Sequence, residues 1–203
     1  MMRLSDSPDL VIMGDPLLFQ QHQQVNVDDI LTEDFQYNLS TLRKKQIEAN
    51  GIGIAAPQIG WGVRVLCIGI SEETKSRYPS VPDIPFSFWI NPQIIEVSNE
   101  TCWTWEGCLS VPGIRGWVNR PANLKVRGFD DQGNIIEATL DGFAARVMLH
   151  EIDHLDGVLF PERIDETKLM VPNVSMETQS CWPENWPTKN ARMTLPGTIS
   201  AER

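Results

Sequence analysis

The sequence lacks the features of a membrane-spanning or secreted protein. No run in its 203 residues approaches the roughly 18 consecutive apolar residues that a membrane-spanning helix needs. Residues 1–15 contain no basic segment followed by an apolar one, so we expect no secretory signal and a cytoplasmic location. The 4 cysteines are too few and too scattered for the disulfide framework of a small secreted domain. We therefore expect a reducing environment, in which a thiol is free for metal binding or chemistry.

Positive charge is also scarce. The chain carries 17 Lys and Arg against 27 Asp and Glu, a formal net charge of −10. A surface that binds nucleic-acid phosphates or anionic lipid needs a basic patch, so we expect no direct nucleic-acid or membrane binding. The hydrophobic fraction of 41% and charged fraction of 22% are ordinary values for a globular protein.

Apolar spacing and end signals predict two helices. The first, amphipathic and near the N-terminus, covers residues 28–50 and ends at Gly51. Its apolar stripe consists of Leu31, Phe35, Leu39 and Leu42. The second covers residues 142–156, with Asp141 as N-cap and Gly157 as the left-handed residue after its end.

Runs of β-branched and apolar residues predict several strands around these helices. The predicted strands are residues 63–70, 86–90, 93–97, 124–129 and 135–140. The last two flank the turn sequence from Asp130 to Gly133, which predicts a hairpin. Residues 51–60 are rich in glycine and predict a loop with strand-like pieces, and residues 71–85 predict a surface connection. Because the helices do not alternate with the strands, the pattern predicts an α+β fold with antiparallel or mixed sheets.

Prolines punctuate the C-terminal part of the chain. Beyond about residue 166 the hydrophobic pattern becomes irregular. We therefore predict a catalytic domain over residues 1–166 and a proline-containing tail over residues 167–203, draped on the domain or partly disordered.

The strongest chemical signal is an H-E-x-x-H motif from His150 to His154, inside the second predicted helix. Residues four apart share one helix face, so both imidazoles can bind one divalent metal ion. Glu151 would lie beside them, in reach of a water molecule at the metal. This motif predicts that the α+β fold packs around a central metal-binding helix.

A catalytic metal usually takes three protein ligands, and the sequence leaves the third open between classes of enzyme. The metzincin-type peptidases use a histidine where this chain has Phe160. Thermolysin-like enzymes use a downstream glutamate, for which Glu177 and Glu184 are available in the proline-broken tail. The remaining histidine, His22, has glutamine-rich surroundings that predict a solvated side chain.

Cys108 is a better candidate for the third ligand. It lies in a segment with Gly107 before it and Gly113 after it, and glycines let the backbone approach a ligand closely. One thiolate and two imidazoles make a tetrahedral site with one open position. A lone buried cysteine is more often a small core residue, so the residue types alone leave both interpretations open.

Three separate motifs resemble one family, the peptide deformylases. The family signatures G-x-G-L-A-A-x-Q, E-G-C-L-S and Q-H-E-x-D-H-L-x-G correspond to Gly51–Gln58, Glu106–Ser110 and Leu149–Gly157. They occur in the family's order, and the resemblance covers roughly residues 10–163. Two positions depart from the signatures: Ile54 replaces leucine, and Leu149 replaces the glutamine before the first histidine. The second departure leaves the efficiency of the site open, because neighbours of metal ligands tune affinity and activity.

The resemblance implies an enzyme that removes the formyl group from N-formylmethionyl peptides and nascent chains and releases formate. It implies that Cys108, His150 and His154 hold a divalent metal, usually Fe²⁺, with Zn²⁺, Ni²⁺ or Co²⁺ as substitutes. Glu151 would carry the proton, and Gln58 and the Leu109 N–H would hydrogen-bond the developing oxyanion. A transient ribosome contact also follows, although the tail lacks the basic helix through which some relatives dock.

The resemblance further implies a peptide-binding region beside the metal. The backbone around Ile52 and Gly53 would bind the substrate as an added strand, and Arg115 would contact the peptide. Phe143 and Val147 are candidates for the wall of a methionine pocket, with ordinary core packing as the alternative. The interpretation of an aromatic group stays open between core packing and a hydrophobic rim for the peptide; it consists of Trp103, Trp105 and Trp117. Glu106 and Arg120 are candidates for an ion pair that braces the metal loop.

Three other functions remain open from the sequence. A metallopeptidase of the wider H-E-x-x-H class would not use Cys108 as a ligand. A structural metal protein would need a fourth protein ligand, and Cys67 and Cys102 lack the paired spacing of such sites. A formyl-peptide binder without turnover is the third, and the presence of Glu151 and Gln58 argues against it.

Overall fold

The structure is a computed structural model that describes residues 3–77 and 82–187. The helices in those ranges are α1 (Glu33–Glu48), α2 (Glu72–Arg77) and α3 (Gly142–Leu155). The strands are β1 (Gly53–Ala55), β2 (Val65–Ile68), β3 (Ser87–Val97), β4 (Thr101–Cys108), β5 (Val111–Pro121), β6 (Asn123–Phe129), β7 (Ile135–Asp141) and β8 (Met170–Pro172). In the described ranges, no helix combines the length and the apolar character needed to cross a membrane.

The strands form two antiparallel sheets, which gives the α+β class that the sequence predicts. The larger sheet has the order β1-β2-β3-β6-β7, and the smaller has the order β4-β5-β8. All pairs of named strands are antiparallel, while Gln23 and Val63 form one isolated parallel bridge. β1 is the first strand of the larger sheet and pairs only with β2, so its other edge is free of strand pairing within the described residues.

Helix α3 contacts strands of both sheets, which brings its side chains between them. One face packs into a core cluster with β2 and β6. The buried members of this cluster on α3 are Ala145, Val147, Met148, Leu149, Ile152 and Leu155. The helix ends as predicted, because Gly157 adopts φ +75°. A Cβ at Gly157 would lie 2.6 Å from the backbone nitrogen of Gln20, so glycine also permits this close approach.

Helix α1 begins later than the spacing of its apolar residues predicts. Residues 27–29 form a short 3₁₀ turn, Thr32 is the N-cap, and the α-helix starts at Glu33. Leu31 therefore lies outside the helix and is 65% exposed. The other three residues of the stripe, Phe35, Leu39 and Leu42, are buried in a second core cluster with β2.

The strand predictions hold best where turns are short. The hairpin of β6 and β7 pairs Phe129 with Ile135 across the predicted turn. The two strands predicted over residues 86–97 are one strand, β3, with a register shift between Ile90 and Gln93 where Asn91 adopts φ +51°. The short α2 lies inside the predicted surface connection. The sequence pattern does not predict β4, β5 or β8 as strands.

Residues 167–187 pack on the rest of the protein. β8 pairs with Ile114–Gly116 of β5, and Leu169 is buried against Trp117. The ring of Trp182 lies 5.8 Å from that of Trp105, measured between centroids. The remainder of the predicted tail, residues 188–203, lies outside the described residues, and the domain boundary after residue 166 stays a prediction.

Candidate metal centre

Cys108, His150 and His154 lie together in the structure. Along the chain, Cys108 is 42 or more positions from either histidine. Cys108 ends β4, and the two histidines occupy successive turns of α3. One ligand atom from each residue lies within 4.8 Å of the others. The Sγ of Cys108 is 3.2 Å from Nε2 of His154. The two side chains that the helix presents and the one from the strand therefore converge on one point.

Glycine shapes the strand that brings Cys108 to the helix. Gly107 lies next to the Arg115 side chain, and a Cβ there would lie 2.7 Å from Cζ of the guanidinium. After Cys108 the chain turns at once, because Cys108 itself pairs with Val111 of β5. The Ser110 N–H donates to the Cys108 sulfur at 3.3 Å, which holds the sulfur in place at this turn.

A buried carboxylate orients the first histidine. Glu106 Oε2 accepts a hydrogen bond from Nδ1 of His150 at 2.9 Å, and both oxygens of Glu106 accept from Arg120, at 2.6 and 2.9 Å. Burial acts to raise the pKa of Glu106, but Arg120 and His150 hold it well below its usual value. The ionised carboxylate keeps the proton on Nδ1, so Nε2 of His150 is left as the ligand nitrogen.

Further charged groups complete this buried network. Arg146 donates to Glu106 at 2.6 Å and to the Cys102 carbonyl at 2.7 Å. Asp153 accepts from Arg120 at 2.7 Å and from Arg163 at 2.6 Å. Sequence reasoning found the Glu106–Arg120 pair but missed Arg146, Asp153 and Arg163. Helix spacing carries a signal for two of them, because Arg146 and Asp153 lie four residues before and three after His150, on its side of the helix.

The second histidine has the protonation state that a metal ligand needs. Burial lowers the pKa of His154 well below its usual value. A neutral imidazole is the form that binds metal. The sequence predicts that His22 is solvated, but the structure shows it buried beneath this helix. The backbone N–H of His22 donates to the carbonyl of Leu155 at 2.9 Å.

Glu151 is buried beside the cluster. Burial raises the pKa of its carboxyl group to about 7. Its Oε2 has no hydrogen-bond partner among the described residues. A Cβ at position 53 would lie 2.7 Å from Glu151 Cγ, so Gly53 leaves the space that this side chain occupies. A buried carboxyl group that titrates near neutrality suits proton transfer.

Gln58 directs a hydrogen-bond donor at the cluster. Its Oε1 accepts from the Ala55 N–H at 2.8 Å, which fixes the orientation of the side-chain amide. The Nε2 then faces the Sγ of Cys108 at 3.5 Å and the Oγ of Ser110 at 3.1 Å. Leu109 lies between Cys108 and Ser110 along the chain and packs against the second core cluster, which contains the buried side chains of α1. The structure therefore brings Gln58 and Leu109 beside the cysteine.

The other predicted site residues lie around the same centre. The Ile52 carbonyl accepts from Gly69 N–H, so it faces β2. Because hydrogen-bonded and non-hydrogen-bonded pairs alternate along antiparallel strands, the N–H and carbonyl of Gly53 face the free edge of β1. Arg115 lies beside Gly107 and forms no ion pair within residues 3–77 and 82–187. Leu149 is buried in the core cluster that surrounds α3.

The residues present fit a catalytic transition metal. Within the described ranges, Cys108, His150 and His154 form the only group of three or more candidate metal ligands. Three protein ligands leave one position for water or substrate, as in catalytic sites, whereas structural sites are closed by four. A thiolate with two imidazoles suits Fe²⁺, Zn²⁺ and related ions. Glutamates 177 and 184 of the tail are not part of this group.

Comparisons with known proteins agree with this geometry. A model of the Polypeptide deformylase family matches residues 8–170. A peptide deformylase of Leptospira biflexa is 37% identical over 82% of this chain and 92% of its own length. Peptide deformylase 1 of Nitrosomonas europaea is 40% identical over 77% of this chain and 86% of its own length.

Solved structures show the same likeness. The class I type b peptide deformylase from Acinetobacter baumannii, bound to Met-Ala-Ser, superposes with a TM-score of 0.73 at 35% identity, over 80% of this chain and 99% of that one. The peptide deformylase from Thermotoga maritima gives a TM-score of 0.69 at 31% identity, over 79% and 99%. The chain therefore belongs to the peptide deformylase family, the metal-dependent hydrolases that remove the N-formyl group from newly synthesised peptides.

Proposed function

We propose that this chain deformylates N-formylmethionyl peptides with a divalent metal held on α3 and β4 by Cys108, His150 and His154. The observation that carries the proposal is the convergence of these three ligand atoms within 4.8 Å, beside a buried glutamate that has no partner among the described residues for one oxygen. The domain responsible would be residues 1–166, with residues 167–203 as its tail. Fe²⁺ is the native ion that we expect, with Zn²⁺, Ni²⁺ and Co²⁺ as working substitutes.

A bound divalent metal would supply an acidified water and a Lewis acid for the formyl carbonyl. Glu151 performs the proton transfers. Its carboxylate accepts a proton from the attacking water and then delivers it to the amine nitrogen as the C–N bond breaks, which yields formate and a free N-terminus. Burial raises the pKa of Glu151 to about 7, so its carboxyl group is suited to accept and to release a proton near neutral pH.

Gln58 and Leu109 would stabilise the negative charge that develops on the formyl oxygen. Oε1 of Gln58 is already used by the Ala55 N–H, so Nε2 is the group that remains for substrate. The Leu109 N–H, in the turn after Cys108, would be the second donor. Such preorganised donors are worth about 3 kcal/mol each in acyl-transfer sites.

The peptide would bind as an extra strand along the free edge of β1. Gly53 presents its N–H and carbonyl to that edge, whereas the N–H of Ala55 is taken by Gln58. Ile52, with Phe143 and Val147 of α3, would form the wall of the pocket for the methionine side chain. Arg115, which lacks an ion-pair partner among the described residues, would contact the peptide backbone or its carboxylate.

The substrates are nascent chains, so we expect a cytoplasmic location and a transient contact with the ribosome. The net charge of −10 argues that such a contact uses ribosomal protein surfaces and not bare RNA. Cosedimentation with ribosomes that carry a formylated nascent chain, compared with empty ribosomes, tests this expectation.

Formate release from formyl-Met-Ala-Ser tests the proposed function. The protein is purified anaerobically with Fe²⁺ and compared with Glu151→Ala and with Glu48→Ala, an exposed glutamate on α1. We expect release by the wild type and Glu48→Ala, and a loss of about 10²-fold or more in Glu151→Ala with metal content unchanged. Equal activity in Glu151→Ala would refute the role of Glu151, and an inactive metal-loaded wild type would refute the substrate.

A further inference from the structure

A glutamine from α1 holds the chain segment that precedes Gly53. Gln46 is completely buried. Its Nε2 lies 2.8 Å from the carbonyl oxygen of Ile52, 3.0 Å from that of Gly69 and 3.3 Å from that of Gly51. The opposite orientation of the amide would place Oε1 against three carbonyl oxygens, so the acceptors fix the amino group where it is.

The backbone of Gln46 also forms a hydrogen bond to the segment that precedes Gly53. The carbonyl of Gln46 accepts from the Gly51 N–H at 2.9 Å. Gly51 is also closely packed, because a Cβ there would lie 3.1 Å from Cδ1 of Leu109 and 3.6 Å from Cγ of Gln46. The segment from Gly51 to Ile52 is therefore held between α1 and the turn that follows Cys108.

This segment sets the position of the free edge of β1. The Ile52 carbonyl faces β2 and accepts from both Gln46 and the Gly69 N–H. The next residue, Gly53, presents its N–H and carbonyl to the opposite side. A displacement of Ile52 would therefore move the groups with which a peptide strand would pair, while Cys108, His150 and His154 stand on other elements.

We propose that Gln46 is a positioning residue for peptide binding: its amino group fixes the Gly51 and Ile52 carbonyls and thereby the register of the peptide on Gly53. The proposal rests on the function proposed above, in which formylated peptides bind along β1. It assigns to Gln46 an effect on peptide affinity, with the metal ligands and the proton-transfer group left in place.

The chain offers a matched control on the same helix. Gln36 also donates through Nε2 to two loop carbonyls, those of Ile30 and Asp131, both at 2.8 Å. Neither carbonyl belongs to β1 or to the metal centre. Replacement of either glutamine by methionine keeps the length of the side chain and removes the donor, so only Gln46→Met should affect peptide binding.

The experiment compares wild type, Gln46→Met and Gln36→Met in kcat and KM for formyl-Met-Ala-Ser, Kd for Met-Ala-Ser by calorimetry, metal content and urea unfolding. For Gln46→Met we expect KM and Kd to rise about tenfold, with kcat within about twofold and metal content unchanged. Gln36→Met should lose stability without a change in KM or Kd. If Gln46→Met does not fold, Gln46→Leu serves the same comparison.

Two results would overturn the proposal. One is a KM and Kd within about twofold of wild type in a folded Gln46 variant, and the other is an equal rise in Gln36→Met. An inactive wild type that still binds Met-Ala-Ser would refute the deformylation proposed above, and the Kd comparison would then decide the role of Gln46 by itself.

Discussion

At the scale of single residues, the space beside Glu151 is the feature most sensitive to substitution. A Cβ at Gly53 would lie 2.7 Å from Glu151 Cγ, closer than carbon atoms approach each other in proteins. We expect Gly53→Ala to displace the glutamate and to lower kcat/KM by about 10²-fold, as for other displacements of a proton-transfer group. Metal content should stay unchanged, because the ligands come from β4 and α3.

A control for this prediction is Gly62→Ala. A Cβ at Gly62 would lie 3.7 Å or more from its neighbours, which is ordinary contact. Steady-state kinetics with formyl-Met-Ala-Ser and metal analysis of both variants check the expectation. Full activity in Gly53→Ala would contradict the position that the structure gives to Glu151.

Residues also show why part of the site was predictable and part was not. Cys108, His150 and Glu151 carry rare chemistry in short motifs, so the sequence marks them. Arg146 and Asp153 are charged residues that a helix usually exposes to solvent, and only the fold turns them towards Glu106 and Arg120. Gln46 carries no signal in the sequence, because its role depends on how the fold places residues 51–52 against α1.

At the scale of elements, the C-terminal segment tests where the folded unit ends. Leu169 is buried against Trp117, whereas Val174, five residues later, is 66% exposed. We expect Leu169→Ala to lower the free energy of unfolding by about 2–3 kcal/mol, the cost of removing a buried side chain and leaving a cavity. Val174→Ala should change it by less than about 0.5 kcal/mol.

Urea unfolding of the two variants gives the measurement. An unaffected Leu169→Ala variant would contradict the docking of residues 167–187 and would support an independent domain that ends at residue 166. A stability loss would instead favour a folded unit that includes β8.

Local signals decide which elements the sequence predicts. α3 and the hairpin of β6 and β7 were predicted closely, because a cap, a glycine stop or a tight turn marks each end. β4 and β5 were missed, since Gly107, Gly113 and Gly116 weaken strand propensity and only pairing between the two strands stabilises them. α1 begins at Glu33 and not at residue 28, because residues 27–29 form a 3₁₀ turn and the N-cap residue, Thr32, has an extended backbone.

At the scale of the whole molecule, the four cysteines report on different parts of the structure. Cys67 and Cys102 are buried, Cys108 is half-buried and Cys181 is exposed. Burial raises the pKa of the Cys67 thiol to about 12, so this thiol stays protonated and unreactive at neutral and mildly alkaline pH. We expect iodoacetamide at about pH 8 to alkylate Cys181 in the native protein and Cys67 only after unfolding.

Peptide mapping by mass spectrometry identifies the alkylated thiols. Removal of the metal by a chelator should make Cys108 reactive, and restoration of the metal should protect it again. Alkylation of Cys67 in the folded protein would contradict its burial in the core beneath α1.

We propose that Cys108, His150 and His154 hold one divalent metal in an open site. The most direct measurement is the absorption spectrum of the Co²⁺-loaded protein, with the bound cobalt counted per chain. We expect one cobalt ion per chain and a sulfur-to-cobalt charge-transfer band that disappears in Cys108→Ser and persists in Cys181→Ser. A band that Cys108→Ser leaves unchanged, or no cobalt binding in the wild type, would contradict this proposal.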